Sequence, residues 1–373
     1  MHPEFPLADD IVHLNHAGVG PWPRRAVQAI ARFADENMRV GTKNYPRWLE
    51  VERTLREQLR WLINAESFDD IALLKNTSEA LSTVAYGIDW RRGDNVVTCR
   101  QEFPSNRIVW ESLRERFGVE VRLADLDDGA IPEDALLAHV DQRTRLLSVS
   151  SVQYASGLRM NLDVIGAACR AQHVLFCVDA IQSLGVMPFD VQACRADFVM
   201  ADGHKWMLAP EGVALFYCKP ERREQLRLNQ FGWHMVEHHN DYERMDWQPA
   251  RNARRFEAGS PNNMGISALS ASLSLLQETG LESIQKKVFQ NISYLYDSLN
   301  ELKMEIITPR APERRAGIIT FRSPHSEDLY RNLQAAGVLC AQRAGGIRFS
   351  PHFYTSTERL DRALSILKRV LKS

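Results

Sequence analysis

Two residues whose types and positions could support covalent chemistry lie close together in the chain. Lys205 follows a short apolar run, Phe198 to Ala201, that is predicted to be a buried strand, and it precedes a turn at Ala209 to Gly212. Asp179 ends a second apolar run, Val174 to Val178. A lysine amine can act as a nucleophile, and a carboxylate at a strand end lies at the edge where open α/β sheets bind ligands. On spacing alone, the lysine could equally be a surface residue and the aspartate a helix N-cap.

Together these two residues meet the requirements of pyridoxal 5′-phosphate (PLP) chemistry. The amine forms a Schiff base with the cofactor aldehyde, and the carboxylate keeps the pyridine nitrogen protonated, so the ring accepts electrons from a carbanion. The surrounding segments, DAIQSLGVMPFDV and ADGHKWMLAPEG, resemble the class V aminotransferase and cysteine desulfurase-like family of fold-type I PLP enzymes. The resemblance covers most of the chain. It implies that PLP is the cofactor and that the substrate is an amino acid or a related amine.

The resemblance also implies a fold and an assembly. We expect an α/β fold, in which a large domain with a mostly parallel seven-stranded sheet flanked by helices is joined to a small α+β C-terminal domain. The expected divisions are an N-terminal arm at 1–14, a large PLP-binding domain at 15–255, and an interface segment, long helix and small domain at 256–373. A homodimer is expected for the same reason.

Local patterns predict the elements of this fold. Apolar runs bounded by turn residues predict strands at 11–14, 71–74, 95–98, 146–152, 174–178, 198–201, 213–218, 316–322 and 346–350. Helical periodicity predicts helices at 24–37, 48–62, 162–170, 326–336 and 356–371. The short elements after residue 303 are the ones that indicate the small α+β domain.

Hydroxyl residues at the start of a predicted helix suggest an anion site. Thr77 and Ser78 follow the strand at 71–74, where free backbone N–H groups and the helix dipole favour negative charge. The resemblance assigns both residues to the cofactor phosphate. Without it, a helix-capping role would fit as well.

Three further residues are expected to contact the cofactor. Phe103 lies in a polar turn after a strand and is expected to stack on the pyridine ring, as in kynureninase-like proteins, whereas desulfurases usually have His there; a small local core is the alternative. Gln182 could hydrogen-bond the cofactor O3′, and His204 would lie beside the phosphate. Asp202 is not assigned to the phosphate, because a carboxylate would repel it.

A segment near residue 260 indicates how two subunits would cooperate. The sequence RFEAGSPN at 255–262 closely resembles a family segment that crosses the dimer interface and donates a hydroxyl group to the neighbouring subunit's phosphate. Ser260 takes the position that is often Thr. A plain N-cap or turn serine is the alternative.

A pair of arginines is expected to bind the substrate. The motif RAGGIRFSPH resembles the family's C-terminal motif, which assigns Arg348 to the α-carboxylate and Arg343 to an accessory role. A guanidinium suits this task because it can bind a carboxylate through two parallel hydrogen bonds. A solvated surface arginine is the alternative reading of Arg348.

The other expected substrate contacts come from two separate segments. Gln153 and Tyr154 follow the strand at 146–152, and Asn15 and His16 follow the strand at 11–14. The resemblance places both segments on the substrate side of the cofactor. His16 could instead be a simple turn residue.

The cysteines narrow the choice of reaction. Desulfurases carry a catalytic cysteine in a loop between two arginine-containing segments, and here only Ala344 to Ile347 separates Arg343 from Arg348. Cys340 precedes that interval in a predicted strand. We therefore expect transamination first, with C–S lysis or epimerisation as alternatives on the same scaffold, and we expect Cys340→Ala to retain activity.

Composition excludes several classes of partner. The 373 residues carry a formal net charge of −1, which gives no argument for nucleic acid or an anionic membrane as a partner. Six scattered cysteines without metal-ligand spacing indicate reduced thiols, no metal and a cytoplasmic protein. A non-catalytic nucleotide-binding protein is the remaining alternative, and the chain has neither glycine-rich loop motif that this class requires.

Overall fold

The described part of the chain contains two main sheets and a short strand pair. It is a computed structural model that describes residues 2–127 and 131–371, so residues 1, 128–130 and 372–373 of the expected divisions lie outside it. Its strands are β1 (Val12–His13), β2 (Ile71–Leu74), β3 (Asn95–Cys99), β4 (Glu120–Ala124), β5 (Thr144–Ser150), β6 (Leu175–Asp179), β7 (Phe198–Asp202), β8 (Ala214–Cys218), β9 (Glu305–Ile306), β10 (Ile319–Arg322), β11 (Val338–Leu339), β12 (Ala341–Arg343) and β13 (Gly346–Phe349).

The large sheet has seven strands in the order β2-β8-β7-β6-β5-β3-β4. Strand β8 pairs antiparallel with both of its neighbours, and the other pairs are parallel. Strands β3, β7 and β8 are buried along their whole length, as expected for a parallel sheet covered on both faces. The predicted mostly parallel seven-stranded sheet is therefore confirmed.

Helices cover the sheet and connect its strands. They are α1 (Arg24–Val40), α2 (Tyr45–Ile63), α3 (Thr77–Gly87), α4 (Ser105–Glu111), α5 (Leu113–Phe117), α6 (Pro132–Leu137), α7 (Leu162–Ala171), α8 (Pro220–Arg223), α9 (Asn263–Thr279), α10 (Leu281–Glu301), α11 (Ser326–Ala335) and α12 (Thr357–Val370). Polar side chains cap several of them: Asn76 caps α3 and Asn262 caps α9, each accepting a hydrogen bond from a backbone N–H inside the helix. Helix α9 packs against both α1 and α2.

The small sheet is antiparallel and has the order β12-β13-β10-β9. Strand β1 pairs in parallel with β11, so the N-terminal segment joins the C-terminal part of the chain. One continuous cluster of buried apolar side chains extends from the large sheet to the small one and includes Val199, Trp206, Ile318 and Phe349. The predicted elements are present, with bounds that differ by up to three residues.

Parallel strands bring their carboxyl ends to one edge of the large sheet. Apart from Ser260, the predicted cofactor residues follow β2, β3, β6 and β7, and therefore lie along that edge. Within the described residues, no helix is both long enough and apolar enough to cross a membrane.

Candidate active site

Lys205 lies in the turn after β7. Its side chain is 8% exposed, and its Nζ makes no hydrogen bond to any described residue. Burial lowers the pKa of Lys205 from its usual range, and the nearby Asp179 carboxylate partly opposes this shift. Leu208, with φ 61°, strains the same turn, because the left-handed region is unfavourable for a branched side chain. An amine with a lowered pKa is unprotonated more often near neutral pH, and is thus a better nucleophile.

Asp179 ends β6 and is almost completely buried. Its Oδ1 accepts a hydrogen bond from the Ile181 N–H at 3.0 Å. Burial raises the pKa of Asp179; the Glu102 carboxylate raises it further, whereas Lys205 lowers it. A buried carboxylate of this kind is stabilised by a cationic partner, and a protonated pyridine nitrogen would be one.

The start of α3 provides an anion site beside β7. The backbone N–H groups of Thr77 and Ser78 have no acceptor within the described part of the chain, as is usual for the first turn of a helix. Thr77 Oγ1 accepts a hydrogen bond from the Asp202 N–H at 3.2 Å, which joins this helix to the end of β7. These free donors are suited to bind a phosphate.

His204 and Asp202 form a pair next to this anion site. His204 Nδ1 lies 3.0 Å from Asp202 Oδ1, at ion-pair distance but without the alignment of a hydrogen bond. Both of these buried atoms lack a hydrogen-bond partner among the described residues.

Phe103 presents an aromatic ring to the lysine. The ring centroid is 5.5 Å from Lys205 Nζ, and the Tyr154 ring meets it edge-on at 5.2 Å. Phe103 is 38% exposed, so part of the ring is free to stack on a planar group.

Arg348 is buried beside the lysine without an acidic partner. Its Nη1 donates to the Tyr154 carbonyl oxygen at 2.7 Å, its Nη2 lies 3.4 Å from Asn15 Oδ1, and its buried Nε has no partner among the described residues. Burial lowers the pKa of Arg348 to about 9, and the neighbouring Arg343 contributes to this shift. At neutral pH the guanidinium remains charged and lacks an anion.

The two glutamines differ in how much of their hydrogen-bonding capacity is free. Gln182 donates one N–H to the Ala17 carbonyl oxygen at 3.0 Å and accepts from Trp206 Nε1 at 2.8 Å, which leaves its second N–H available. Gln153 donates to Glu102 Oε1 at 3.0 Å, and its buried Oε1 has no partner among the described residues.

The location of His16 differs from the predicted substrate contact. Its ring is fully buried: Nδ1 lies 2.8 Å from the Ser350 carbonyl oxygen, and Nε2 lies 2.6 Å from Tyr354 Oη. Because both ring nitrogens already have partners, His16 is a structural residue that joins the N-terminal segment to the C-terminal part. Its neighbour Asn15, by contrast, contacts Arg348.

Ser260 lies in an exposed segment. Its hydroxyl makes no hydrogen bond to a described residue, and a Cβ added at Gly259 would meet nothing within 4 Å.

All six cysteines are buried. Burial raises the pKa of Cys340 to about 12, so this thiol remains protonated at neutral pH. In the hairpin that follows, Ala344 and Gly345 form the turn with φ 50° and 71°. The hairpin is too short to contain an additional loop.

One residue of the site, Glu102, was assigned no role from the sequence. Glu102 precedes Phe103 directly and is 4% exposed. The sequence does indicate that Glu102 could belong to the site, because this carboxylate lies between an apolar strand and an aromatic residue of the site. The Asp202 and His204 pair, by contrast, depends on side-chain orientation and had no such signal.

Helix α2 contributes to a buried group of three residues whose side chains could bind a metal ion. Glu52, His234 and Glu257 offer ligand atoms that lie within 4.8 Å of one another. However, the Arg56 guanidinium lies between them, 2.6 Å from Glu52 Oε1 and 2.8 Å from Glu257 Oε2. This cation already compensates the two carboxylates.

The residues at the sheet edge fit PLP. Lys205 provides an amine without a partner, Asp179 a buried carboxylate, Phe103 an open aromatic face, and the start of α3 free N–H donors. Arg348 adds an unpaired charge for a carboxylate. Each part of the cofactor and of an amino acid substrate has a chemically suitable group.

The sequence matches curated proteins over nearly its whole length. The relatives include a probable cysteine desulfurase from Methanothermobacter thermautotrophicus, with 32% identity over 96% of this chain and 94% of the relative. They also include a cysteine desulfurase from Pectobacterium atrosepticum, with 30% identity over 85% of this chain and 81% of the relative.

Solved structures share the fold. The apo cysteine desulfurase from Thermococcus onnurineus NA1 superposes with a TM-score of 0.90 at 24% identity, covering 99% of this chain and 96% of the other. The cystine C–S lyase C-DES, in complex with its product cysteine persulfide, has a TM-score of 0.90 at 24% identity and covers 96% and 97% of the two chains.

The family assignment comes from a profile match. The model described as aminotransferase class-V matches residues 12–362, which include every predicted site residue. The chain therefore belongs to the class V aminotransferase family and is a PLP-dependent enzyme.

Proposed function

We propose that this protein is a lyase that cleaves the C–S bond of a cysteine-derived amino acid without using a protein thiol. The observation that carries this proposal is the burial of all six cysteines in a chain whose relatives are named cysteine desulfurases. Cys340, the cysteine nearest to the Arg343 to Arg348 hairpin, is 2% exposed. Since the thiolate is the reactive form, a buried thiol with a raised pKa is a poor sulfur acceptor.

Arg348 is proposed to bind the substrate α-carboxylate. Its guanidinium is buried, charged and unpaired, and it is close enough to Lys205 to lower the pKa of that amine. A carboxylate held there would place its Cα beside Lys205. Asn15 and the Tyr154 carbonyl oxygen hold the guanidinium in position.

Lys205 is proposed as the general base and acid. When bound, PLP supplies the electron sink that stabilises negative charge at the substrate Cα. Lys205 removes the Cα proton, and the Cβ–S bond breaks with its electron pair leaving on sulfur. The remaining three-carbon enamine reacts with water to give a 2-oxo acid and ammonia. The depressed pKa of Lys205 suits this proton transfer near neutral pH.

The remaining site residues are proposed to orient the cofactor. Thr77, Ser78 and His204 would bind the phosphate, Asp179 the ring nitrogen and Gln182 the O3′ oxygen. Phe103 would cover one ring face, and its position 5.5 Å from Lys205 Nζ supports this. Gln153 and Arg343 are proposed as further substrate contacts.

Transamination is the second candidate. The family name favours it, and it was the first expectation from the sequence. The same residues would serve, except that Lys205 would return the proton to the cofactor C4′ instead of allowing sulfur to leave. The relatives' names favour C–S cleavage over this choice.

A homodimer is proposed, in which Ser260 reaches the phosphate of the partner subunit. The exposed, unpaired hydroxyl and the open space at Gly259 support this arrangement.

Product analysis distinguishes the two reactions. PLP-loaded protein would be incubated with cystine and other sulfur amino acids, without any added 2-oxo acid acceptor. A lyase releases 2-oxo acid, ammonia and a sulfur product in equal amounts over many turnovers. A strict requirement for an added 2-oxo acid, with no ammonia released, would replace the proposal by transamination. The Lys205→Ala variant serves as the inactive control.

A further inference from the structure

Glu102 is a buried carboxylate that contacts no cation among the described residues. Its Oε1 accepts from the Ser150 N–H at 2.6 Å and from Gln153 Nε2 at 3.0 Å, and its Oε2 accepts from Asn106 Nδ2 at 3.1 Å and from the Ser150 hydroxyl. The Cys99 thiol is a weaker donor at 3.6 Å. Because every neighbour donates, these hydrogen bonds lower the pKa of Glu102 and favour its ionised form, whereas burial, the larger effect, raises the pKa above its ordinary value.

The surrounding residues fix this carboxylate in place. Asn106, which donates to Glu102, accepts hydrogen bonds from Trp110 Nε1 at 3.0 Å and from the Ser148 hydroxyl at 2.7 Å. Asn106, one of the donors, therefore has partners of its own. Burying an ion is unfavourable, and an ion maintained by neutral donors alone needs a function or another compensation.

The network ends beside Asp179. Ser150, which donates twice to Glu102, is the direct cross-strand partner of Asp179 in the parallel β5–β6 pair. The next residue, Ser151, donates its N–H to the Asp179 carbonyl oxygen at 2.9 Å. Besides Glu102, the groups that act on the Asp179 carboxylate are the Ile181 N–H and Lys205. Glu102 thus places a second negative charge near Asp179, beside the neighbouring strand.

We infer that Glu102 is a positioning residue that acts through Asp179: its charge favours the protonated state of the cofactor ring nitrogen and so strengthens PLP as an electron acceptor. The inference rests on the proposed role of Asp179 and is independent of which bond the enzyme breaks. The effect of Glu102 on the Asp179 carboxylate supports it, since the same negative potential that raises the Asp179 pKa also attracts a proton to the ring nitrogen.

Two cofactor analogues provide a test that does not depend on turnover. PLP and its 1-deaza analogue, which has C–H in place of the ring nitrogen, would be titrated into cofactor-free protein, and the ratio of their dissociation constants measured. Glu102→Gln should reduce the preference for PLP on the order of tenfold, since a unit charge acts over about 10 Å at an effective dielectric of about 20 with roughly that effect. Binding of the deaza analogue should hardly change.

Three further variants make the test specific. Glu102→Asp keeps the charge and should keep most of the preference. Glu102→Met, of similar length and uncharged, should lose it and replaces Glu102→Gln if that variant does not fold. Glu133→Gln alters another buried glutamate, which lies on α6 and pairs with Arg314, and should leave the preference unchanged.

Three outcomes would overturn the inference. An unchanged preference in Glu102→Gln or Glu102→Met would show that the charge does not reach the ring nitrogen. An equal loss of affinity for both analogues would mean that Glu102 only supports the fold. If wild-type protein itself bound both analogues equally, the proposed role of Asp179 would fail as well, and the two failures can therefore be distinguished.

Discussion

The charges that burial leaves unbalanced lie at the residues proposed for chemistry. Asp179, Lys205 and Arg348 have pKa values shifted from their ordinary range, with desolvation as the largest cause for each. Groups that are destabilised in this way are common at functional sites, where a ligand provides the missing partner. Three residue-level predictions follow from these groups.

Replacing Asp179 by Asn should stabilise the cofactor-free protein at neutral pH. A carboxyl whose pKa is raised on folding contributes stability below its ordinary pKa, and this contribution is lost as the pH rises through the raised value. The variant should therefore have a higher Tm than wild type at and above neutral pH, and the difference should shrink towards pH 4. Thermal unfolding of the cofactor-free proteins across this range measures it.

The same substitution should have the opposite effect on the loaded enzyme. PLP should still bind, but turnover should fall by orders of magnitude, because a neutral amide cannot keep the ring nitrogen protonated. Near-normal turnover would contradict the role of Asp179. A Tm that was lower at every pH would contradict the account of its burial.

Arg348→Ala should mainly weaken substrate binding. Loss of two charge-assisted hydrogen bonds to the carboxylate should raise KM for carboxylate substrates roughly ten- to hundredfold, provided that these bonds are equally strong in the ground and transition states. Arg343→Ala should have a smaller effect. Equal KM values for Arg348→Ala and wild type, measured with the same amino acid, would remove Arg348 from the substrate site.

At the scale of elements, a buried cluster of charged residues attaches α2 to β2 and to the segment that precedes Ser260. Arg56 contacts Glu52 on its own helix, Glu257 ahead of the Ser260 segment and the Ile71 carbonyl oxygen of β2. Glu257 also accepts from the Leu73 N–H at 2.8 Å. The cluster thus connects the helix, an edge strand of the large sheet and the exposed segment.

Arg56→Met should destabilise the fold, because two buried carboxylates would lose their cation. Breaking a buried pair in this way typically costs about 3–5 kcal/mol in the free energy of unfolding. Arg60→Met, one turn further along α2, is the matched control: Arg60 pairs with Glu57 on the surface, and its loss should cost less than about 1 kcal/mol. Denaturant unfolding of both variants compares them, and equal stabilities would contradict the importance of the cluster.

The elements were predictable where one local pattern decides the outcome. The continuous apolar runs of β6 and β7 specify buried parallel strands, and the residues after them specify the cofactor edge. The Arg56 cluster was not predictable, because its members come from α2, β2 and a segment about 200 residues away. The contacts of His16 were not predictable for a similar reason: its partners, Ser350 and Tyr354, lie at the opposite end of the chain.

At the scale of the whole molecule, the proposed dimer predicts that each active site contains residues from both subunits. If Ser260 serves the partner's phosphate, a mixed dimer of Lys205→Ala and Ser260→Ala subunits should contain one site with both substitutions and one site with neither. Refolded mixtures of the two variants should then recover activity that neither variant shows alone, provided that Ser260→Ala is impaired. Impaired Ser260→Ala protein without recovery in proven mixed dimers would place Ser260 in its own subunit's site.

The central claim is that C–S cleavage uses no protein thiol. The most direct test is whether the released sulfur is found on the protein or in a small molecule. PLP-loaded wild-type protein and Cys340→Ala would be given a single equivalent of cystine and then analysed as intact protein by mass spectrometry. We expect unchanged protein masses, the sulfur in a small-molecule product, and nearly equal rates for the two proteins. A wild-type protein heavier by one sulfur atom, together with an inactive Cys340→Ala variant, would contradict a reaction that uses no protein thiol.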